Sequence, residues 1–119
     1  ITMQDDFDCF FFIADLHSLT TLYEDSQLLK KYSFEVGVDW LSSGLNPEKC
    51  TLFVQSQIPE HAELHLIFSM IVPVPWLERN PTYKEKQVEV KSIDMSSYGF
   101  LGYPVLQTAD IVLYKDTGR

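Results

Sequence analysis

DCFFFIA, at residues 8–14, is a nearly continuous run of apolar and aromatic residues with the length of a single β-strand. Successive side chains of a strand point to opposite faces of the sheet, so an apolar residue at almost every position is typical of a strand buried on both faces. Strands of this kind occur mainly in parallel sheets covered by helices. The run therefore predicts a buried strand in an α/β fold.

A long helix is predicted after this strand. Residues 25–26 (DS) offer an N-cap, and apolar residues then recur at helical spacing from Leu29 to Trp40. Gly44 follows as a stop signal. These signals predict a helix of about five turns at 3.6 residues per turn.

Strands and helices continue to alternate along the chain. TLFVQ at 51–55 predicts a second strand, a second helix opens at Pro59, and a last helix covers about 104–113. Several prolines and a polar stretch interrupt the pattern between residues 73 and 94, which predicts an irregular segment there. The alternation itself predicts an α/β fold.

Composition places the chain among folded proteins. Its 119 residues are 45% hydrophobic and 13% aromatic, which is enough for one packed domain over 1–119. A net charge of −8 argues against a nucleic-acid-binding surface on this segment.

Cys9 and Cys50 lie in unrelated apolar contexts, as expected for reduced thiols in the cytoplasm. The sequence shows neither a signal peptide nor an apolar run of the roughly 20 residues that span a bilayer, so no membrane is expected as a partner.

Tyr103, Gln107 and Asp110 form the first group of candidate site residues. They lie at i, i+4 and i+7, and at about 100° per residue they project within roughly 60° of one another on a helix. The spacing alone fits an exposed polar stripe as well as a site. Asp110, however, lies within the apolar stretch 109–113, so its carboxylate should be partly buried and should bind a specific donor.

Histidines mark two further candidate positions. His17 follows the first strand directly, where open α/β sheets bind ligands, although a lone histidine is often a structural residue. His61 and His65 lie one helical turn apart, but without the H-E-x-x-H order and without a third ligand, so we predict no metal site. Their helix is instead expected to form a wall or a subunit contact.

Four blocks of sequence together carry a resemblance to a known family. They are FIADLHSLTT (12–21), FVQSQIPEHAEL (53–64), PTYKEK (81–86) and GYPVLQTADI (102–111). In this order and with these gaps they resemble the bacterial tryptophanyl-tRNA synthetases, which are class I aminoacyl-tRNA synthetases. The resemblance implies a Rossmann-like parallel sheet with flanking helices. Since the family's H-I-G-H signature would precede residue 1 and its K-M-S-K-S loop would follow residue 119, it also implies that 1–119 is the central part of a single catalytic domain.

The resemblance assigns roles to particular residues. Asp110 matches the carboxylate that accepts the indole N–H, Tyr103 matches a tyrosine near the substrate amino group, and His17 matches a pocket histidine. Ala14 and Gln107 should line the same pocket. A loop that approaches ATP in the family would include one or more lysines, and the candidates are Lys84, Lys86 and Lys91. No catalytic residue is assigned within the segment.

The function implied by the resemblance is a tryptophan–tRNA ligase of the cytoplasm. Such an enzyme activates L-tryptophan with ATP and Mg²⁺ and transfers it to tRNA(Trp), which would be contacted mostly by regions outside this chain. A homodimer is expected, and the isolated segment is expected to be inactive. Two alternatives stay open: a tyrosyl-tRNA synthetase, whose pocket has a similar Tyr-x3-Gln-x2-Asp arrangement, and a non-catalytic interaction module derived from a synthetase.

Overall fold

The computed structural model describes the backbone of residues 1–89 and 97–115 and the side chains of residues 1–85 and 97–115. Contacts within the chain divide it into two compact units, Ile1–Ile58 and Pro59–Arg119. The first unit contains both strands of the described residues, and the regular elements described in the second unit are helices. Each unit is described separately below.

The first unit is a parallel strand pair with two helices. Strand β1 (Cys9–Ile13) leads into helix α1 (Asp15–Leu22), and helix α2 (Ser26–Ser42) precedes strand β2 (Cys50–Val54). The strands pair in parallel, and Trp40 of α2 meets Phe11 of β1 edge to face at 6.4 Å between ring centroids. The predicted α/β fold with a parallel sheet and flanking helices is confirmed, as are both strands and the long helix.

Strand β1 is less buried than its apolar sequence predicts. Phe10 is 50% exposed, and the other residues of β1 are half-buried. Within residues 1–89 and 97–115 the sheet has only these two strands, so neither its faces nor its edges are fully covered. The expectation of a strand buried on both faces is therefore wrong for the described part of the molecule. Cys9 and Cys50, which looked unrelated in sequence, lie opposite each other in the register and are both free thiols.

A buried glutamine fixes the turn after α2. Gly44 has a φ of +105°, which side chains disfavour and glycine accepts, so the predicted stop signal is confirmed. The side-chain amide of Gln4 donates to the Gly44 carbonyl at 3.0 Å and its oxygen accepts the Asn46 N–H at 2.8 Å. The start of the chain and the turn before β2 are thereby held together.

The second unit is helical. It contains α3 (Glu60–Ser69), α4 (Val74–Glu78), α5 (Pro81–Glu89), α6 (Tyr98–Leu101) and α7 (Tyr103–Leu113). Helices α3 and α7 pack against each other, with Val105 and Ala109 of α7 buried. The last two helices predicted from the sequence correspond to α3 and α7.

The prediction of an irregular segment from residue 73 is wrong, because α4 and α5 lie within it. Pro73 is the residue before α4, Pro75 lies in the first turn of α4, and Pro81 is the first residue of α5. A proline in the first turn of a helix removes an N–H that has no partner within the helix in any case, so these prolines start helices. The rest of the segment, residues 90–94, lies outside the described residues. None of the helices in the described parts of the chain is long and apolar enough to cross a membrane.

Candidate functional site

A buried histidine joins two helices of the second unit. His61, near the start of α3, has no exposed surface, and its Nδ1 lies 2.6 Å from Oδ1 of Asp110 on α7. Its Nε2 lies 2.7 Å from the phenol oxygen of Tyr114, the residue that follows α7. Asp110 itself is 4% exposed. The expectation that the Asp110 carboxylate is buried with a specific partner is therefore confirmed.

The sequence of α7 explains why Asp110 faces inward. The buried residues of this helix repeat at helical spacing and form one stripe that packs towards α3: Val105, Leu106, Ala109 and Asp110. Asp110 extends the apolar stripe by a further position, so its carboxylate is removed from water with the rest of the stripe. A buried carboxylate needs a hydrogen-bond donor, and His61 supplies one.

The donor and acceptor roles in this cluster depend on the tautomer of His61. An ionised carboxylate can only accept, so the neutral tautomer that pairs with an ionised Asp110 carries its hydrogen on Nδ1 and leaves Nε2 to accept from the Tyr114 hydroxyl. Burial, with the carboxylates of Asp110 and Glu60 nearby, raises the pKa of the Tyr114 phenol above its ordinary value of 10.0. The phenol thus keeps its proton at neutral pH and has a hydrogen that it can donate to Nε2 of His61.

Tyr103 and Gln107 line one small pocket in the second unit. They lie one turn apart on α7, and the pocket has a cavity volume of about 40 Å³. Two of its walls are the rings of Tyr83 and Phe100, with centroids 5.4 Å apart. A pocket with aromatic walls, one phenol and one amide suits a small ligand that has both an apolar and a polar part. Asp110 lies on the same helix but is not one of the residues that line this pocket.

The remaining predicted pocket residues lie at the end of β1 in the first unit. Ala14 caps the N-terminus of α1 and is half-buried, and His17 lies in the first turn of α1 and is buried. Between them, Asp15 accepts hydrogen bonds from the backbone N–H of Ser56 at 3.0 Å and from the Ser56 hydroxyl at 2.5 Å. Because Asp15 follows β1 and Ser56 follows β2, this carboxylate ties together the two segments that leave the sheet.

The three candidate lysines and the pair of His61 and His65 form no further cluster among the described residues. Lys84 is exposed on α5, whereas the side chain of Lys86 and the whole of Lys91 lie outside the described residues. Across residues 1–89 and 97–115, His, Cys, Asp and Glu form no group of three or more that could hold a metal ion. His61 does not share a ligand with His65, since both of its ring nitrogens are bonded to Asp110 and Tyr114.

Comparison with known families identifies the chain. A family model described as "tRNA synthetases class I (W and Y)" matches residues 1–117. The chain belongs to this family of class I tRNA synthetases. The predicted resemblance, and with it the fold class, is thereby confirmed.

Individual members of the synthetase family are similar over nearly the whole chain. The tryptophan–tRNA ligase of Ralstonia nicotianae is 50% identical over 97% of this chain and 29% of its own length. The tryptophan–tRNA ligase of Thermotoga maritima is 54% identical over 93% of this chain and 34% of its own length. The chain thus spans about a third of the length of the relatives that it matches.

Solved structures of synthetases have the same fold. The tryptophanyl-tRNA synthetase of Campylobacter jejuni, solved with ADP and tryptophan, superposes with a TM-score of 0.87 at 35% identity over 95% of this chain and 34% of that chain. The enzyme of Mycoplasma pneumoniae gives a TM-score of 0.86 at 33% identity over 96% of this chain and 34% of that chain. The parallel strands and flanking helices described here are therefore those of a class I synthetase.

Two residues of the cluster around Asp110, His61 and Tyr114, are not among the predicted site residues. The sequence marks His61 only as one of a histidine pair on its helix, and it does not mark Tyr114. The available signal was the buried Asp110, because a buried carboxylate requires a donor and His61 lies on a helix with the length and apolar content to pack against α7. The helix of His61, expected to form a wall or a subunit contact, packs against α7 within its own unit.

Proposed function

We propose that this chain forms the tryptophan-binding part of the Rossmann-like catalytic domain of a tryptophan–tRNA ligase. The complete enzyme activates L-tryptophan with ATP, as its Mg²⁺ complex, to tryptophanyl-adenylate and pyrophosphate. It then transfers the tryptophanyl group to tRNA(Trp). Two relatives bearing this name, at 50% and 54% identity, support the proposal, although each is about three times as long as the chain.

The buried carboxylate of Asp110 is the observation that carries the choice of substrate. A donor that reaches the carboxylate of a side chain only 4% exposed must enter the interior, and a flat apolar ring does so at lower desolvation cost than a hydrated cation. The indole of tryptophan is such a ring, with a single N–H at its edge. A carboxylate has about four lone-pair sites, so it can accept from His61 and from an indole together.

Tyr103 and Gln107 lie two turns and one turn before Asp110 on α7 and provide polar groups to the pocket that they line. Their pocket has aromatic walls and is open at one end. We assign the phenol and the amide to the substrate's amino-acid end. Ala14 and His17, in the first unit, are assigned to tryptophan binding on the resemblance alone. Of the lysines proposed for the ATP loop, Lys84 is exposed and its ammonium can contact a phosphate.

A tyrosyl-tRNA synthetase is the nearest alternative, since the family includes enzymes for both amino acids. The relatives at 50% and 54% identity are both named for tryptophan, which favours tryptophan. ATP as a second substrate is supported by the Campylobacter jejuni structure, which holds ADP together with tryptophan. Translation takes place in the cytoplasm, and we place the protein there.

A homodimer is also part of the proposal. Large apolar side chains on and after α3 are more than half exposed: Leu66, Ile67, Met70, Ile71 and Trp76. Apolar side chains grouped in this way commonly mark a protein–protein interface. Sedimentation velocity of the complete protein tests this point, since a monomer at micromolar concentration would contradict it.

Amino-acid-dependent ATP–pyrophosphate exchange by the complete protein tests the function. Wild-type protein should exchange with tryptophan and not with tyrosine. Asp110→Asn, which keeps the shape of the side chain, should lower kcat/KM for tryptophan by about tenfold or more because the charged acceptor is lost. Thr108→Ala, at an exposed position of the same helix, is the matched control and should leave exchange unchanged. Exchange with tyrosine would indicate the alternative enzyme, and exchange with neither would indicate a non-catalytic module.

A further inference from the structure

His61 contacts Asp110 through a hydrogen bond that constrains both residues. Nδ1 of His61 lies 2.6 Å from Oδ1 of Asp110, and the imidazole has no exposed surface. A carboxylate held by a charge-assisted hydrogen bond of this length loses the freedom to rotate about its Cβ–Cγ bond. The orientation of the carboxylate is therefore set by a residue of another helix.

Tyr114 lies against the second ring nitrogen of His61, with its hydroxyl 2.7 Å from Nε2. A neutral imidazole can hold its proton on Nδ1 or on Nε2, and only the Nδ1 form can donate to Asp110. A hydroxyl that donates to Nε2 stabilises this form, so the position of Tyr114 is compatible with a hydrogen bond from His61 to Asp110.

We propose that His61 is a positioning residue for substrate recognition, which holds the Asp110 carboxylate in the orientation that accepts the indole N–H, with Tyr114 holding His61 in turn. This inference rests on the proposed function of the chain. His61 does not touch the substrate, and its effect reaches the substrate through Asp110. Preorganisation of this kind lowers the cost of binding, since the acceptor is already oriented when the ring arrives.

If His61 only joined α3 to α7, its loss would affect ligand binding differently from the loss of a positioning residue. If the hydrogen bond only stabilised the packing of the two helices, its loss would weaken the binding of every ligand of the pocket equally. If His61 positions Asp110, its loss weakens only ligands that carry a ring N–H. The tryptophan analogue with sulfur in place of the indole nitrogen, 3-benzothienylalanine, separates the two roles because it has no such donor.

Two amide variants of His61 form a matched pair for the test. In His61→Asn the side-chain amide lies at the place of Nδ1 and can still donate to Asp110, whereas in His61→Gln it lies at the place of Nε2 and faces Tyr114. Both variants put a polar amide into the same buried space, so a general loss of packing affects them alike. The measurements are the KM for tryptophan in ATP–pyrophosphate exchange by the complete protein and the inhibition constant of the sulfur analogue.

The positioning role predicts a specific pattern. His61→Gln should raise the KM for tryptophan about tenfold and leave the inhibition constant of the analogue within about twofold of the wild-type value. His61→Asn should leave both constants within about threefold of their wild-type values. If His61→Gln weakened the binding of tryptophan and of the analogue to the same degree, the positioning role would be overturned. Equal KM values for tryptophan in the two variants would overturn it as well. Neither result would contradict the proposed function. A wild-type protein without tryptophan-dependent exchange would overturn the proposed function and this inference with it.

Discussion

The Tyr114 hydroxyl lies 2.7 Å from Nε2 of His61, within hydrogen-bond distance of the ring. Tyr114 is the residue that follows α7, and His61 belongs to α3, so this bond closes the interface between the two helices at its end. The pKa of the phenol is raised, first by burial and then by the carboxylates of Asp110 and Glu60. Stability of the protein should consequently depend on pH in the alkaline range.

The sign of this dependence follows from the direction of the shift. The folded protein holds the phenol proton more tightly than the unfolded chain, so the contribution of Tyr114 is complete below about pH 10 and is lost as the pH rises through the folded-state pKa. Tyr114→Phe should lower the free energy of unfolding by about 1 kcal/mol at pH 8, where the hydrogen bond is intact. The difference between variant and wild type should shrink as the pH rises above 10.

Urea unfolding of both proteins at a series of pH values measures this difference. Lys49, whose pKa is raised by its hydrogen bond to Asp5 and by the Asp5 charge, also loses its contribution at alkaline pH. It does so equally in both proteins, so the comparison isolates Tyr114. A constant difference from pH 8 to pH 11 would contradict the role of the phenol proton.

Two glycines near the start of α7 should respond in opposite directions to alanine. A Cβ atom at Gly102 would lie 3.2 Å from the backbone oxygen of Tyr98 and 3.4 Å from Cε1 of His65, so Gly102→Ala should lower the free energy of unfolding by about 1 kcal/mol or more. At Gly99, within α6, a Cβ would meet nothing within 4 Å. Gly99→Ala should therefore raise stability by up to about 1 kcal/mol through helix propensity.

Thermal unfolding of the complete protein distinguishes the two glycine variants. The expected order of midpoints is Gly99→Ala, wild type and Gly102→Ala, from highest to lowest. Gly99 acts as the matched control, because it receives the same added methyl group three residues away in an open position. Equal midpoints for the two variants would show that the close approach at Gly102 relaxes without cost.

The stability of the first unit should depend on the carboxylate of Asp15, which joins the segments that follow its two strands. Asp15→Ala removes the acceptor for both the N–H and the hydroxyl of Ser56, and should lower the free energy of unfolding by about 2 kcal/mol. Ser56→Ala removes only the hydroxyl and should cost about 1 kcal/mol, since the backbone N–H remains. The double variant should cost no more than Asp15→Ala, because the two changes remove the same interaction. Additive losses in urea unfolding would contradict the contact.

Local sequence patterns were sufficient to predict most of the strands and helices that position the candidate site. Strands β1 and β2 coincide with the two apolar runs, and α2 ends before Gly44 as its stop signal requires. The helices around the prolines could not be predicted in the same way. A proline that breaks a helix and a proline that starts one look alike in sequence, and the difference lies in whether its position is in the first turn.

Burial of Asp110 could be predicted, whereas its partner could not. The apolar neighbours of Asp110 in the sequence require the carboxylate to be buried and to have a donor, but they do not say which residue donates. His61 lies 49 positions away in the chain and reaches Asp110 only because α3 packs against α7. The same holds for Asp15 and Ser56, 41 positions apart.

The sequence by itself therefore determined the two strands, the helices α2, α3 and α7, the membership of a class I synthetase family and the need of Asp110 for a partner. These properties depend on residues that are near neighbours in the chain. Only the tertiary structure decided that His61 and Tyr114 meet that need, that Cys9 lies opposite Cys50, and that Tyr103 and Gln107 share a pocket with Tyr83. The physical reason is that strand pairing and helix packing bring distant residues together, and local patterns of hydrophobicity do not specify which side chains then come into contact.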